Sequence, residues 1–171
     1  MAGKRPHSAV NLLMAWMLLL GPGAPALAGP DQGTTGQPAN EELVTFKAAI
    51  RAKYDLKEEA FRNNDVEPII NRFYSERVIS VDPEGNSHTG RDGIRPVYEE
   101  VIGSFVAIES YESFVSGDAG WDWVNFHVSF PPEAEMEPFS FKMLFLWEKI
   151  DGEWWSHGEM YVPGAFEIAG K

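Results

Sequence analysis

Residues 123–155 read WVNFHVSFPPEAEMEPFSFKMLFLWEKIDGEWW, and their apolar period is two. Val124, Phe126, Val128 and Phe130 fall on one face of an extended segment, and Trp123, Asn125, His127 and Ser129 on the other, because successive side chains of a strand point to opposite sides. Pro131 and Pro132 end that strand, since proline cannot donate to a ladder. Phe139, Phe141, Met143, Phe145 and Trp147 alternate along the next strand, yet Leu144 and Leu146 make its other face apolar too. That pattern reads as a central strand covered on both sides. Asp151 and Gly152 then separate it from Glu153, Trp154 and Trp155, the strongest short signal for a two-residue hairpin.

Upstream of Gly103 the period is helical. Asn40, followed by Glu41 and Glu42, reads as an N-cap with acids that complement the helix dipole. Leu43, Phe46, Ile50, Tyr54 and Phe61 form an apolar stripe to about Arg62, opposite a polar face holding Arg51, Lys53, Lys57 and Glu58. Asn63, Asn64 and Asp65 break this helix, and residues 66–74 read as a shorter second one, with Pro68 in its first turn. A strand follows at Val78–Val81, then the turn cluster Asp82, Pro83, Glu84, Gly85 and Asn86. A third helix opens at Thr89–Asp92 with Asp92 as its cap, turning Ile94, Val97, Tyr98, Val101 and Ile102 inward. Three helices ahead of an antiparallel sheet of four to six strands make an α+β plan.

The N-terminus reads as an address. Lys4, Arg5 and His7 precede an apolar run from Ala9 to Leu20, then Gly21, Pro22 and Gly23, and the small-x-small triplet Ala26, Leu27, Ala28. That order is a secretory signal peptide over residues 1–28, and the run is too short to span a bilayer. An exported protein with no stable membrane anchor after cleavage is expected, periplasmic or secreted, with a bacterial host suggested by export without cysteine. Residues 29–40 read as a flexible leader, residues 41–166 as the folded domain and 167–171 as a tail.

The 171 residues are 44% hydrophobic and 23% charged, enough for one domain with a real core. A formal net charge of −12 leaves no broad cationic surface for phosphates, so nucleic acid is not expected as a partner. The absence of cysteine excludes disulfides, thiolate chemistry and cysteine zinc sites.

The element order, with the strings FRNND at residues 61–65, VDPEG at 81–85, GRDGIRPVY at 90–98 and WEKIDGEWW at 147–155, resembles the nuclear transport factor 2-like superfamily, and within it the SnoaL-like branch. The resemblance covers nearly the whole domain. It implies a cone-shaped sheet around a pocket closed by the helices, and homodimers formed through the outer sheet face. It also implies a range of roles: cofactor-independent isomerases, cyclases and dehydratases, or non-catalytic binding and assembly modules. Fold alone does not choose among them.

Asp82 before Pro83 stands where the isomerases of that superfamily place a general base, which a partly apolar cone could tune for proton abstraction; as a turn residue Asp82 needs no such role. The matching first-helix position, a tyrosine in the isomerases, corresponds to Lys57, and Met143–Leu146 holds no carboxylate where they carry a strand acid. Tyr54 and Tyr98 are candidate inward hydroxyls, with core packing as the plainer reading. Trp123 and His127 on one strand, and His157 and Glu159 on another, line the pocket if their faces turn inward and are surface groups if they do not. The histidines lack metal spacing, so neither metal nor cofactor is expected. The aromatic strands suit a small, largely apolar ligand as well as a packed core.

Overall fold

The computed structural model describes residues 36–168; the stretch read as a signal peptide, the part of the expected leader up to residue 35 and the last three residues lie outside the described residues. Helix α1 spans Gly36–Arg62, a short π-type helix Ile69–Phe73, and α2 Gly90–Val101. The strands are β1 (Tyr74–Val81), β2 (Ser87–Thr89), β3 (Phe105–Ser116), β4 (Ala119–Ser129), β5 (Phe139–Ile150) and β6 (Glu153–Pro163). They form one curved, open sheet in the order β2-β1-β6-β5-β4-β3. The sheet is mixed rather than wholly antiparallel: β1 runs parallel to β6, and every other pair is antiparallel. No helix among the described residues is long and apolar enough to cross a membrane.

The hairpin expected at Asp151-Gly152 is present, with φ of 52° and 83° at the two residues, the pair of positive values that matches a tight turn to strand twist. Trp154 just beyond it is 7% exposed and meets the edge of Phe46 from α1 at 4.8 Å.

Several boundaries move. Helix α1 starts at Gly36, so residues 36–40 belong to it and not to the leader; these residues carry no Leu, Ile, Val or Phe, so no apolar period marks the extra turn. The second helix stops at Phe73, and Tyr74 turns to extended backbone at φ −93°, ψ 139° to open a longer β1 than Val78–Val81. Thr89 precedes α2 and gives it no side-chain cap, while Asp92 sits inside the first turn instead of capping it. Short β2 (Ser87–Thr89) follows the segment read as turn and takes in Thr89, read as opening the third helix, because these residues fold back on β1.

Lys53 and Lys57 are buried, against their assignment to the polar face of α1. In α2 only Ile94 and Tyr98 are buried; Val101 remains 44% exposed. Strand β5 is interior, yet Leu146 on its second face is 45% exposed, so that face is not covered in the single chain.

Two β-bulges fix which side chains point inward. On β3 the register slips between Ser110 and Glu112, so the Ser110 and Ser113 hydroxyls both reach Asp122 on β4. On β6, Trp147 pairs with Ser156 and Leu146 with Gly158, leaving His157 as the extra residue. Trp154 and Ser156 therefore face inward before the bulge, and Glu159 after it, since one added residue reverses the alternation.

Replacement of Trp154 by alanine removes a buried indole from the α1–sheet contact and is expected to cost about 3 to 5 kcal/mol, read as a lowered denaturation midpoint. An unchanged midpoint would take Trp154 out of the core.

Candidate functional site

Between α2 and the inner face of the sheet lies a cavity of about 600 Å³. Its walls are apolar, with Phe61, Val97, Val106, Val128, Phe141 and Met143 among them, and the loop after β4 contributes Pro131, Ala134 and Met136. Tyr98 and Glu159 are buried and mark its inner end; Glu100 and Met136 are exposed and mark its mouth.

Behind the inner end sits an ammonium. Along α1, Ile50, Tyr54, Lys57 and Phe61 step by four, three and four residues, so Lys57 lies on the apolar stripe itself. It is fully buried, with Nζ 4.4 Å from the ring centre of Phe73, 4.6 Å from Tyr98, 4.8 Å from Tyr74 and 4.9 Å from Phe145. Ring faces attract a cation, but they do not replace its hydrogen bonds. Those go to the hydroxyl oxygens of Tyr74 at 2.6 Å and Tyr98 at 2.7 Å.

The counter-charge is Glu159, 3.8 Å from Lys57 Nζ. Its carboxylate accepts from the Tyr74 hydroxyl, from Ser80 Oγ at 2.8 Å, and more loosely from the Tyr98 hydroxyl at 3.3 Å. Burial lowers the Lys57 pKa from 10.5 to about 8 even though Glu159 favours the charged form. Burial, then the neighbouring carboxylate, pushes Tyr74 and Tyr98 well above the ordinary phenol value, so both remain hydroxyl donors. Tyr161, also on the cavity wall, is pushed up to about 12 for the same two reasons in the same order.

No family model matches the chain, and no curated protein matches it in sequence. Solved structures do match in shape. A protein of unknown function from Mycobacterium tuberculosis is similar over 75% of this chain and 77% of its own, at 17% identity and a TM-score of 0.65. A nuclear transport factor 2-like protein of unknown function from Pseudomonas putida is similar over 74% and 91%, at 15% identity and 0.60. A ketosteroid isomerase-like protein from Erwinia carotovora atroseptica is similar over 70% and 96%, at 21% identity and 0.58. The chain has the nuclear transport factor 2-like fold.

Within this fold, two of the candidates named from sequence meet: Tyr98 and Glu159 converge at the inner end of the cavity. Tyr54 points inward too, but to a separate buried cluster, where its hydroxyl donates to Asp122 at 2.8 Å beside Ser110 at 2.7 Å and Ser113 at 2.6 Å. Burial raises the Asp122 pKa, and these three hydroxyls work against the rise.

Trp123 and His127 lie on the outer face, away from the cavity. Trp123 meets Phe166 edge-on at 5.7 Å, and His127 Nδ1 is 2.8 Å from Ser140 Oγ. His157, turned out by the bulge, is 3.2 Å from Ser75 Oγ and 3.5 Å from Glu148. Among the described residues no His, Asp and Glu cluster could hold a metal.

Asp82 is a turn acceptor that does not line the cavity. Its carboxylate accepts from the backbone N–H of Glu84 at 3.0 Å, the N–H of Asn86 at 2.8 Å and Asn86 Nδ2 at 2.8 Å, with His88 Nε2 at 3.4 Å. These bonds, Asn86 first, hold its pKa below the ordinary carboxylate value. Sequence reasoning missed Lys57 and Tyr74 as site residues. The signal for Lys57 was its place at three from Tyr54 and four from Phe61; Tyr74 carried none, as it falls where helix passes into strand.

Lys57→Met leaves a buried carboxylate without its cation and is expected to cost about 3 to 5 kcal/mol. The Lys57→Met/Glu159→Gln pair should lose clearly less than the two single losses added, in a double-mutant cycle. Between about pH 8 and pH 10 the unfolded chain keeps the Lys57 proton while the folded chain sheds it. Lys57 therefore makes stability rise with pH across that window, and the slope should vanish in Lys57→Met. For Asp82, an NMR titration should place its carboxyl below the ordinary value; a raised value would return it to the candidates for a base.

Proposed function

We propose that the protein binds a small, largely apolar molecule in the cavity, with a neutral hydrogen-bonding group of that molecule, a carbonyl or hydroxyl, against Tyr98 and Glu159. The observation that carries this reading is the convergence of apolar walls on one buried polar pair, in a space of about 600 Å³. Ligand sites are commonly of this size and plan, with few polar groups fixing orientation. Cofactor-free proton transfer based on Asp82 is the less favoured reading, because that carboxylate is engaged in its own turn. With residues 1–28 read as a signal peptide, binding takes place after export.

Assembly into a homodimer through the outer sheet face is a companion proposal, and one feature favours it. Ile79, Leu146, Met160 and Val162 are each close to half exposed on that face. Cross-strand pairing places Trp121, Leu146 and Gly158 in one row, and Trp123, Leu144 and Met160 in the next. An apolar strip of this kind is typical of a surface that meets another protein. Gel filtration with light scattering should give a dimer mass, and Leu146→Glu should give a monomer.

A neutral apolar fluorophore should bind the protein and lose binding in Val128→Trp, which fills the cavity from its wall. Tyr98→Phe should keep the fluorophore but weaken a carbonyl-bearing ligand by about tenfold, the worth of one well-placed hydrogen bond. Equal binding by the wild type and Val128→Trp would place the fluorophore elsewhere and end the cavity reading.

A further inference from the structure

The charge on the cavity lining has one sign. Glu100 and Glu159 line it, and no Lys, Arg or His does. Glu159 is matched by Lys57 at the inner end; Glu100, exposed at the mouth, has no such partner among the lining residues.

Residues 131–138 read PPEAEMEP. Pro131, Ala134 and Met136 line the cavity, while Glu133 and Glu135 between them and Glu137 just after stand exposed. The basic residues of α2 are engaged elsewhere: Arg91 donates to the carbonyl oxygen of Tyr74, and Arg95 pairs with Glu67. Lys142 of β5 sits over the Phe166 ring at 5.1 Å on the outer face.

A second feature points the same way. Phe130, Phe139, Phe141 and Tyr161 all line the cavity and touch in series, with ring centres 5.9, 5.3 and 5.0 Å apart. They form an aromatic wall running inward from the acidic loop. Aromatic faces beside carboxylates favour a cation, whereas an anion at the mouth meets carboxylates and no cationic side chain on the lining to offset its lost hydration.

We infer that the cavity selects its ligand by head-group charge, taking a cationic amphiphile with its ammonium at the mouth among Glu100, Glu133, Glu135 and Glu137 and refusing the anionic counterpart. This rests on the ligand-binding reading above and narrows it. The apolar body lies along the aromatic wall, and the inner end keeps its neutral hydrogen-bonding role.

The test is displacement of the neutral fluorophore by three amphiphiles of equal chain length: decanol, decyltrimethylammonium and decyl sulfate. At low salt the cation should displace at a concentration at least about tenfold below the anion, and the gap should narrow at about 0.5 M salt, where surface charges are screened. Combined Glu100→Gln, Glu133→Gln, Glu135→Gln and Glu137→Gln should close most of the gap and leave decanol unchanged. Combined Glu41→Gln, Glu59→Gln, Glu76→Gln and Glu112→Gln, which removes the same charge from residues that do not line the cavity, should preserve it.

Equal displacement by cation and anion overturns the inference while decanol binding upholds the cavity. A gap lost equally in both sets of variants assigns it to net charge and also overturns the inference. Failure of decanol to displace overturns the cavity reading and the inference with it.

Discussion

The burial of one ammonium constrains this molecule more than any other interaction. A lysine without exposed surface is tolerated only where its charge is matched and its protons are taken up. Here the match draws on four parts of the chain: α1 brings Lys57, the start of β1 Tyr74, α2 Tyr98, and β6 the closing Glu159. The same contacts that satisfy the cation hold the helices at a fixed distance from the sheet. The cavity is the space that remains beyond them, and its polar end is the outward side of the cluster.

The strand irregularities make that cluster possible. Strict alternation along β6 would turn Glu159 outward with Trp155 and His157; the bulge at His157 reverses the order and delivers the carboxylate to the core. The bulge in β3 does comparable work at the other buried acid, setting Ser110 and Ser113 on the same side as Asp122. Each buried carboxylate is thus surrounded by hydroxyl donors through a local break in the ladder, and neither is left without hydrogen bonds.

Much of the fold was legible because its signals are local. The alternation in β4 and β5, the Asp151-Gly152 turn and the stripe on α1 each follow from a few neighbouring side chains. The parallel β1–β6 pairing was not legible, since it joins distant segments with no local mark. The site was legible in part. Tyr98 and Glu159 were named, but Glu159 was placed with His157 because alternation is counted without bulges. Lys57 was read by its charge as a surface residue although its spacing put it on the buried stripe. Asp82 drew attention through its proline neighbour, and its hydrogen bonds are those that an Asp opening a turn makes with nearby backbone.

The two ends of the buried ion pair also have a bearing on the order of folding. Helix α1 emerges early in synthesis, but the carboxylate that matches its lysine belongs to the last strand. Until β6 docks, drawing Lys57 out of water is uphill, so the helix can form but cannot settle against the growing sheet. Contacts so far apart in the chain slow folding and make it cooperative. Completion of the C-terminal hairpin is then the step that commits the whole domain, and a chain halted before β6 should stay loose along its entire length.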